Sequence, residues 1–138
     1  MLSEDDVSKA VAAFLKSRGF TAVEWLPAGR SGFDISTAGS ATHKGWLIES
    51  KGAVNSKGDV AGKPFPSGSV YTNVAQAFAR AAYWRDHELN NGRSTGFAIP
   101  STDLYDLHSR RLERACGELG ITIFRVDERH QVTATPGL

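Results

Sequence analysis

Three ionisable residues stand out by type and spacing: Asp34 in Gly32-Phe33-Asp34-Ile35, and Glu49 and Lys51 in Trp46-Leu47-Ile48-Glu49-Ser50-Lys51-Gly52. Their neighbours are largely apolar, β-branched or aromatic, the composition of strands. In an extended strand, side chains two apart point to the same face, so Glu49 and Lys51 stand side by side. Charges at the end of apolar runs are costly to desolvate and persist when paired or bound to a metal. Two carboxylates beside a lysine can hold a divalent cation and steer an attacking water, the chemistry of metal-assisted hydrolysis. The plainer reading is a surface salt-bridge cluster on an edge strand, worth only about 0–1 kcal/mol. The run Trp46-Leu47-Ile48 argues against it, because it fits a central strand.

The elements that must position these residues follow from periodicity and punctuation. Ser3 and Asp6 form a capping box, and Val7, Ala10, Val11, Phe14 and Leu15 keep the spacing of one buried helical face until Arg18-Gly19 stops it. On that helix Glu4 falls near the centre of the apolar stripe, while Asp5 and Asp6 point away. Strands are expected at Thr21–Leu26, Phe33–Thr37 and Gly45–Lys51, joined by turns too short for crossover helices, hence an antiparallel meander. Residues 52–69 read as a long surface loop leaving the acidic strand. A second helix is expected from Thr72 to about Asn90, with Val74, Phe78, Ala81 and Leu89 on its apolar side. A fourth strand at Thr95–Ile99, a third helix at Asp103–Leu119, a fifth strand at Ile121–Val126 and a short final strand at Gln131–Thr133 complete the chain. The order α-β-β-β-α-β-α-β predicts an α/β fold in which a parallel βαβ unit extends the meander into a mixed sheet.

The 138 residues fit a single domain, with 41% hydrophobic and 22% charged residues, ordinary for a soluble globular protein. No apolar run approaches the roughly 20 residues of a membrane span, and the N-terminus lacks a signal-peptide pattern. The lone Cys116 excludes an internal disulfide framework, suits a reducing cytoplasm and reads as a packed or partly exposed thiol. Scattered histidines give no structural zinc site. The formal net charge of +1 advertises no nonspecific nucleic-acid coat, though a local basic cleft stays compatible with it.

The element order, with an acid on the second strand and Glu49-Ser50-Lys51 on the third, resembles the PD-(D/E)XK nuclease superfamily. That superfamily includes many restriction endonucleases, archaeal Holliday junction resolvases and lambda exonuclease. Its αβββαβ core would cover about residues 3–99. Phe33 stands where the name-giving proline would be. The resemblance implies a restriction-endonuclease-like fold with an extra C-terminal helix and strand, and a metal-dependent endonuclease that hydrolyses phosphodiester bonds in DNA. Asp34, Glu49 and the Ser50 backbone carbonyl would hold Mg²⁺ or Mn²⁺, and Lys51 would orient the attacking water. Glu4 lies on the first helix where many members carry a further acid; in the first turn it also suits the helix dipole on its own account. Gln76 partly matches the exonuclease-like branch, which carries a glutamine on the second core helix followed four residues later by tyrosine; here Arg80 takes that second position and Tyr83 comes later. Cutting both strands of a duplex implies a homodimer, and the absence of a recognition domain suggests structure-selective cutting or a targeting partner protein. A nuclease-fold protein retained for nucleic-acid binding or assembly, without catalysis, is the alternative.

Several side chains admit two readings. Gln76, Arg80, Tyr83 and His87 align on one helix side, as a solvated face or a phosphate-contacting stripe. Lys57 and Lys63, in the long loop after the acidic strand, are candidates for phosphate contacts. Arg110, Arg111 and Arg114 are diluted by Glu113 and Glu118 and read as solvated. His108, on the stripe of Leu104, Leu112, Ala115 and Leu119, reads as a hydrogen-bonded core residue.

Overall fold

The computed structural model describes residues 1–55 and 61–138. Its elements run α1 (Glu4–Ser17), β1 (Glu24–Trp25), β2 (Ile35–Ser36), β3 (Trp46–Ser50), α2 (Ser67–Arg85), β4 (Ser94–Pro100), α3 (Asp103–Arg110), α4 (Glu113–Leu119), β5 (Thr122–Val126) and β6 (Val132–Thr135), with a 3-10 turn at Glu88–Asn90 before β4. The six strands form one mixed sheet in sequence order. The β1–β2, β2–β3 and β5–β6 pairs are antiparallel, whereas β3–β4 and β4–β5 are parallel. The fold is therefore mixed α/β.

Strand alternation divides the core between the two faces of the sheet. Trp46 and Ile48 of β3, Ala98 of β4 and Phe124 and Val126 of β5 meet Val7, Val11 and Leu15 of α1. The intervening residues Phe97, Ile99 and Ile123 point the other way and pack on Val70, Val74, Ala77 and Ala81 of α2 together with Tyr105 and Cys116. Glu49 and Lys51, out of phase with Ile48, belong to the α2 face. The capping box forms as expected: the Ser3 hydroxyl accepts from the Asp6 amide at 3.1 Å and Asp6 accepts from the Ser3 amide at 2.9 Å. That bond to the Ser3 amide, more than any charge, holds the Asp6 carboxyl below its ordinary value.

Several expectations need correction. The strands expected at Thr21–Leu26 and Phe33–Thr37 cover only Glu24–Trp25 and Ile35–Ser36, which leaves Asp34 just before β2. The second helix begins at Ser67 rather than Thr72, capped by Pro66 without a side-chain bond, and ends at Arg85. Leu89, left beyond its end, is 68% exposed instead of buried. The loop after β3 is shorter than expected and is cinched by a bridge between Val54 and Pro64. The third helix breaks at Arg111-Leu112 into α3 and α4. Its buried line runs through Tyr105, Ser109 and Cys116, one residue round from the predicted leucine stripe. His108 consequently sits at the flank, half-buried, edge-on to Tyr71, with neither ring nitrogen hydrogen-bonded among the described residues. Cys116 is fully packed, and burial pushes its thiol up to about 11.

Candidate active site

The site forms where the β2–β3 ladder ends. The register pairs Ile35 with Ile48, and carried one residue on it sets Asp34 opposite Glu49 on the α2 face. Instead of continuing the ladder, the Ser50 amide donates to Asp34 Oδ2 at 2.8 Å. This charge-assisted bond orients the Asp34 carboxylate, which is only 7% exposed, towards Glu49.

Burial, followed by the charge of Asp34, pushes the Glu49 carboxyl up to about 8, although Arg80 and Lys51 pull it down. Beside another carboxylate in a poorly solvated place, Glu49 resists ionisation and keeps its proton into the neutral range. Arg80 Nε of α2 stands 2.9 Å from Glu49 Oε2, at ion-pair distance without the alignment of a hydrogen bond. The same guanidinium donates to the Gly32 carbonyl at 3.0 Å and lies over the Phe33 ring, 4.7 Å from its centroid. Arg80 thus clamps the β1–β2 loop to the acid on β3.

Lys51 leaves the sheet on the same side as Glu49, its backbone tied to β4 through Lys51 N–H to the Ala98 carbonyl at 2.9 Å. The next two residues are pinned to the start of α1. Ala53 N–H donates to the Leu2 carbonyl at 2.8 Å, and a Cβ on Gly52 would overlap the backbone nitrogen of Glu4. Only glycine permits this approach, which sets Glu4, the first residue of α1, beside the end of β3. On the other side, the Tyr105 hydroxyl donates to the Gly52 carbonyl at 2.7 Å and accepts from Asn73 Nδ2 at 3.0 Å. Burial, with a contribution from Glu4, pushes the Tyr105 phenol up to about 12, so it stays a donor. Helices α1, α2 and α3 converge on the two residues after Lys51.

Of the residues singled out by sequence, Asp34, Glu49, Lys51 and Arg80 come together, and Glu4 stands at their border. Gln76 lies one helical turn before Arg80 on α2, exposed. Lys63 is exposed at the neck of the cinched loop, where its carbonyl accepts from the Asn55 backbone and side chain. Lys57 lies outside the described residues. Gly52, Asn73 and Tyr105 escaped the sequence reading, and Phe33 entered it only at the place of the motif's proline. Asn73 carried a usable signal, since it precedes Gln76 and Arg80 by three and seven residues on one helix side.

Among the described residues no group of three or more His, Cys, Asp and Glu side chains gathers to hold a metal ion. The oxygen set is the Asp34–Glu49 pair together with the Ser50 carbonyl at the open end of the ladder. Mg²⁺ needs no more, because it keeps several waters and takes one or two carboxylates. The hard donors fit such a cation, although Arg80 already stands against one Glu49 oxygen. Comparison with protein-family models, curated proteins and solved structures returned no match.

Proposed function

We propose that this protein is a divalent-metal-dependent endonuclease that hydrolyses phosphodiester bonds in DNA on a restriction-endonuclease-like αβββαβ core. The observation that supports this reading above all is Asp34, buried just before β2, facing the largely buried Glu49 of β3, with Arg80 and Lys51 close enough to pull the Glu49 carboxyl down. Asp34, Glu49 and the Ser50 carbonyl are the groups that would hold Mg²⁺ or Mn²⁺. Such a cation, when bound, lowers the pKa of a coordinated water and neutralises charge on the phosphate.

The chain's own residues supply the rest. Lys51 orients the water for attack and stabilises the negative charge that builds on the phosphoryl oxygens. Asp34, fixed by the Ser50 amide, keeps its carboxylate in one orientation through the reaction. Arg80 offers a guanidinium to a phosphate oxygen on exchanging Glu49 for the substrate. Glu4 and Gln76 border the space where the scissile group would lie. A homodimer would present two such sites to the two strands of a duplex, and a partner protein would supply targeting.

Arg80 against Glu49 favours a second reading, a nuclease-fold module that binds nucleic acid or assembles without cutting, because the guanidinium holds a carboxylate oxygen that a metal would take. Cleavage of labelled single-stranded, duplex and four-way-junction DNA in Mg²⁺, Mn²⁺ or EDTA, comparing wild type with Lys51→Met, separates the two. Metal-dependent cutting lost in the variant supports the enzyme. Wild type that binds DNA yet cuts nothing in either metal supports the silent module.

A further inference from the structure

Outward from Glu49 runs an unbroken series of flat side chains. The Arg80 guanidinium lies over Phe33 at 4.7 Å, and Phe33 meets Trp84 edge-on at 5.6 Å. Trp84 in turn meets His87 at 4.4 Å and Tyr83 at 5.8 Å. Tyr83 closes the series 65% exposed, while Phe33, Trp84 and His87 are half-buried. Packing the end of α2 accounts for the inner rings but not for Tyr83, whose ring is mostly in water. An exposed ring continuous with a cation and a polar site offers a flat face on which a planar group can stack.

We infer that this shelf is a stacking platform for unpaired nucleotides, so that the substrate is a single-stranded nucleic acid or a single-stranded arm of a branched one. Base faces are hidden in a duplex and available in a single strand, where each stacks on an aromatic ring irrespective of sequence. A strand lying along the C-terminal half of α2 sets a base on Tyr83 and a phosphate at Arg80, next to the acid pair. His87 adds a donor: its Nδ1 accepts the Leu89 amide at 3.1 Å, which leaves the proton of the neutral ring on Nε2. The inference rests on the nuclease reading for what lies at the inner end of the shelf, yet binding tests it independently.

Fluorescence anisotropy of labelled oligo-dU, oligo-U and a blunt duplex, in EDTA, compares wild type with Tyr83→Ala and Tyr83→Trp. Tyr83 is exposed, so both variants should melt with wild type, which thermal unfolding checks. Expected are a preference for a single strand over duplex, a loss of about tenfold in Tyr83→Ala, and recovery in Tyr83→Trp. Oligo-dU against oligo-U, which differ only in the 2′-hydroxyl, identifies the sugar. Undiminished binding by Tyr83→Ala overturns the platform, as does a wild type that prefers duplex, binds no nucleic acid or only self-associates through this surface. Cleavage in Mg²⁺ by the same proteins keeps the two ideas apart: duplex cutting without single-strand binding sinks the platform alone. Single-strand binding without cutting in any metal sinks the nuclease reading and leaves the platform standing.

Discussion

Lys51 and Glu49 make opposite demands on an experiment. On the proposed mechanism, Lys51→Met removes the charge that would meet the developing phosphoryl oxyanion but no metal donor. Its turnover should fall about 10²–10³-fold, while the upward shift of melting temperature by Mn²⁺ persists; loss of that shift would reassign Lys51 to holding the fold. Glu49 is a matter of pH. Its folded value, about 8, lies above the ordinary 4.5, so the fold favours the protonated form. Metal-free, the stability this gives is fully present below about 4.5 and is lost as pH rises through about 8. Glu49→Gln should flatten the slope over that window and melt above wild type at its alkaline end, as thermal scans across pH would reveal. A cation must displace the same proton, so affinity for Mg²⁺ should rise with pH until Glu49 is ionised. An affinity indifferent to pH would mean that Glu49 is not a ligand.

At the scale of elements, the site depends on three helices closing on the chain just past β3. Tyr105→Phe should strand the Gly52 carbonyl and the Asn73 amide, at about 1–3 kcal/mol in denaturant unfolding. A variant as stable as wild type would show that water replaces the hydroxyl. The pairing of β2 with β3 was legible because apolar runs and short turns dictate an antiparallel pair, although β2 starts at Ile35 and Asp34 precedes it. The start of α2 was not, since Gly68 and an uncapped N-terminus give no signal. The break between α3 and α4 contains neither glycine nor proline, so nothing local announces it. Arg80 was visible as part of a polar stripe, but its pairing with Glu49 was not. The rotation of α2 against the sheet is decided by how Val74, Ala77 and Ala81 seat on Phe97 and Ile99, a tertiary result.

For the molecule as a whole, a net charge of +1 means that the proposed attraction to nucleic acid would have to be local rather than global. A single strand held by stacking and two or three phosphate contacts should show a slope of about −2 in log K against log salt. A slope steeper than about −5 would place binding on a broad basic surface and away from α2. The division of labour between the sheet faces is consistent with this: α1 seals one side with apolar residues, while the side under α2 holds the acids.

The bond from the Ser50 amide to Asp34 also makes the site a built-in sensor. An N–H that points at a carboxylate resonates far from one that points at a ladder carbonyl, and its signal moves when that carboxylate gains a proton or a metal. In ¹⁵N-labelled protein the Ser50 cross-peak would therefore follow loading of the acid pair, without substrate, without turnover, and at any pH where the chain stays folded.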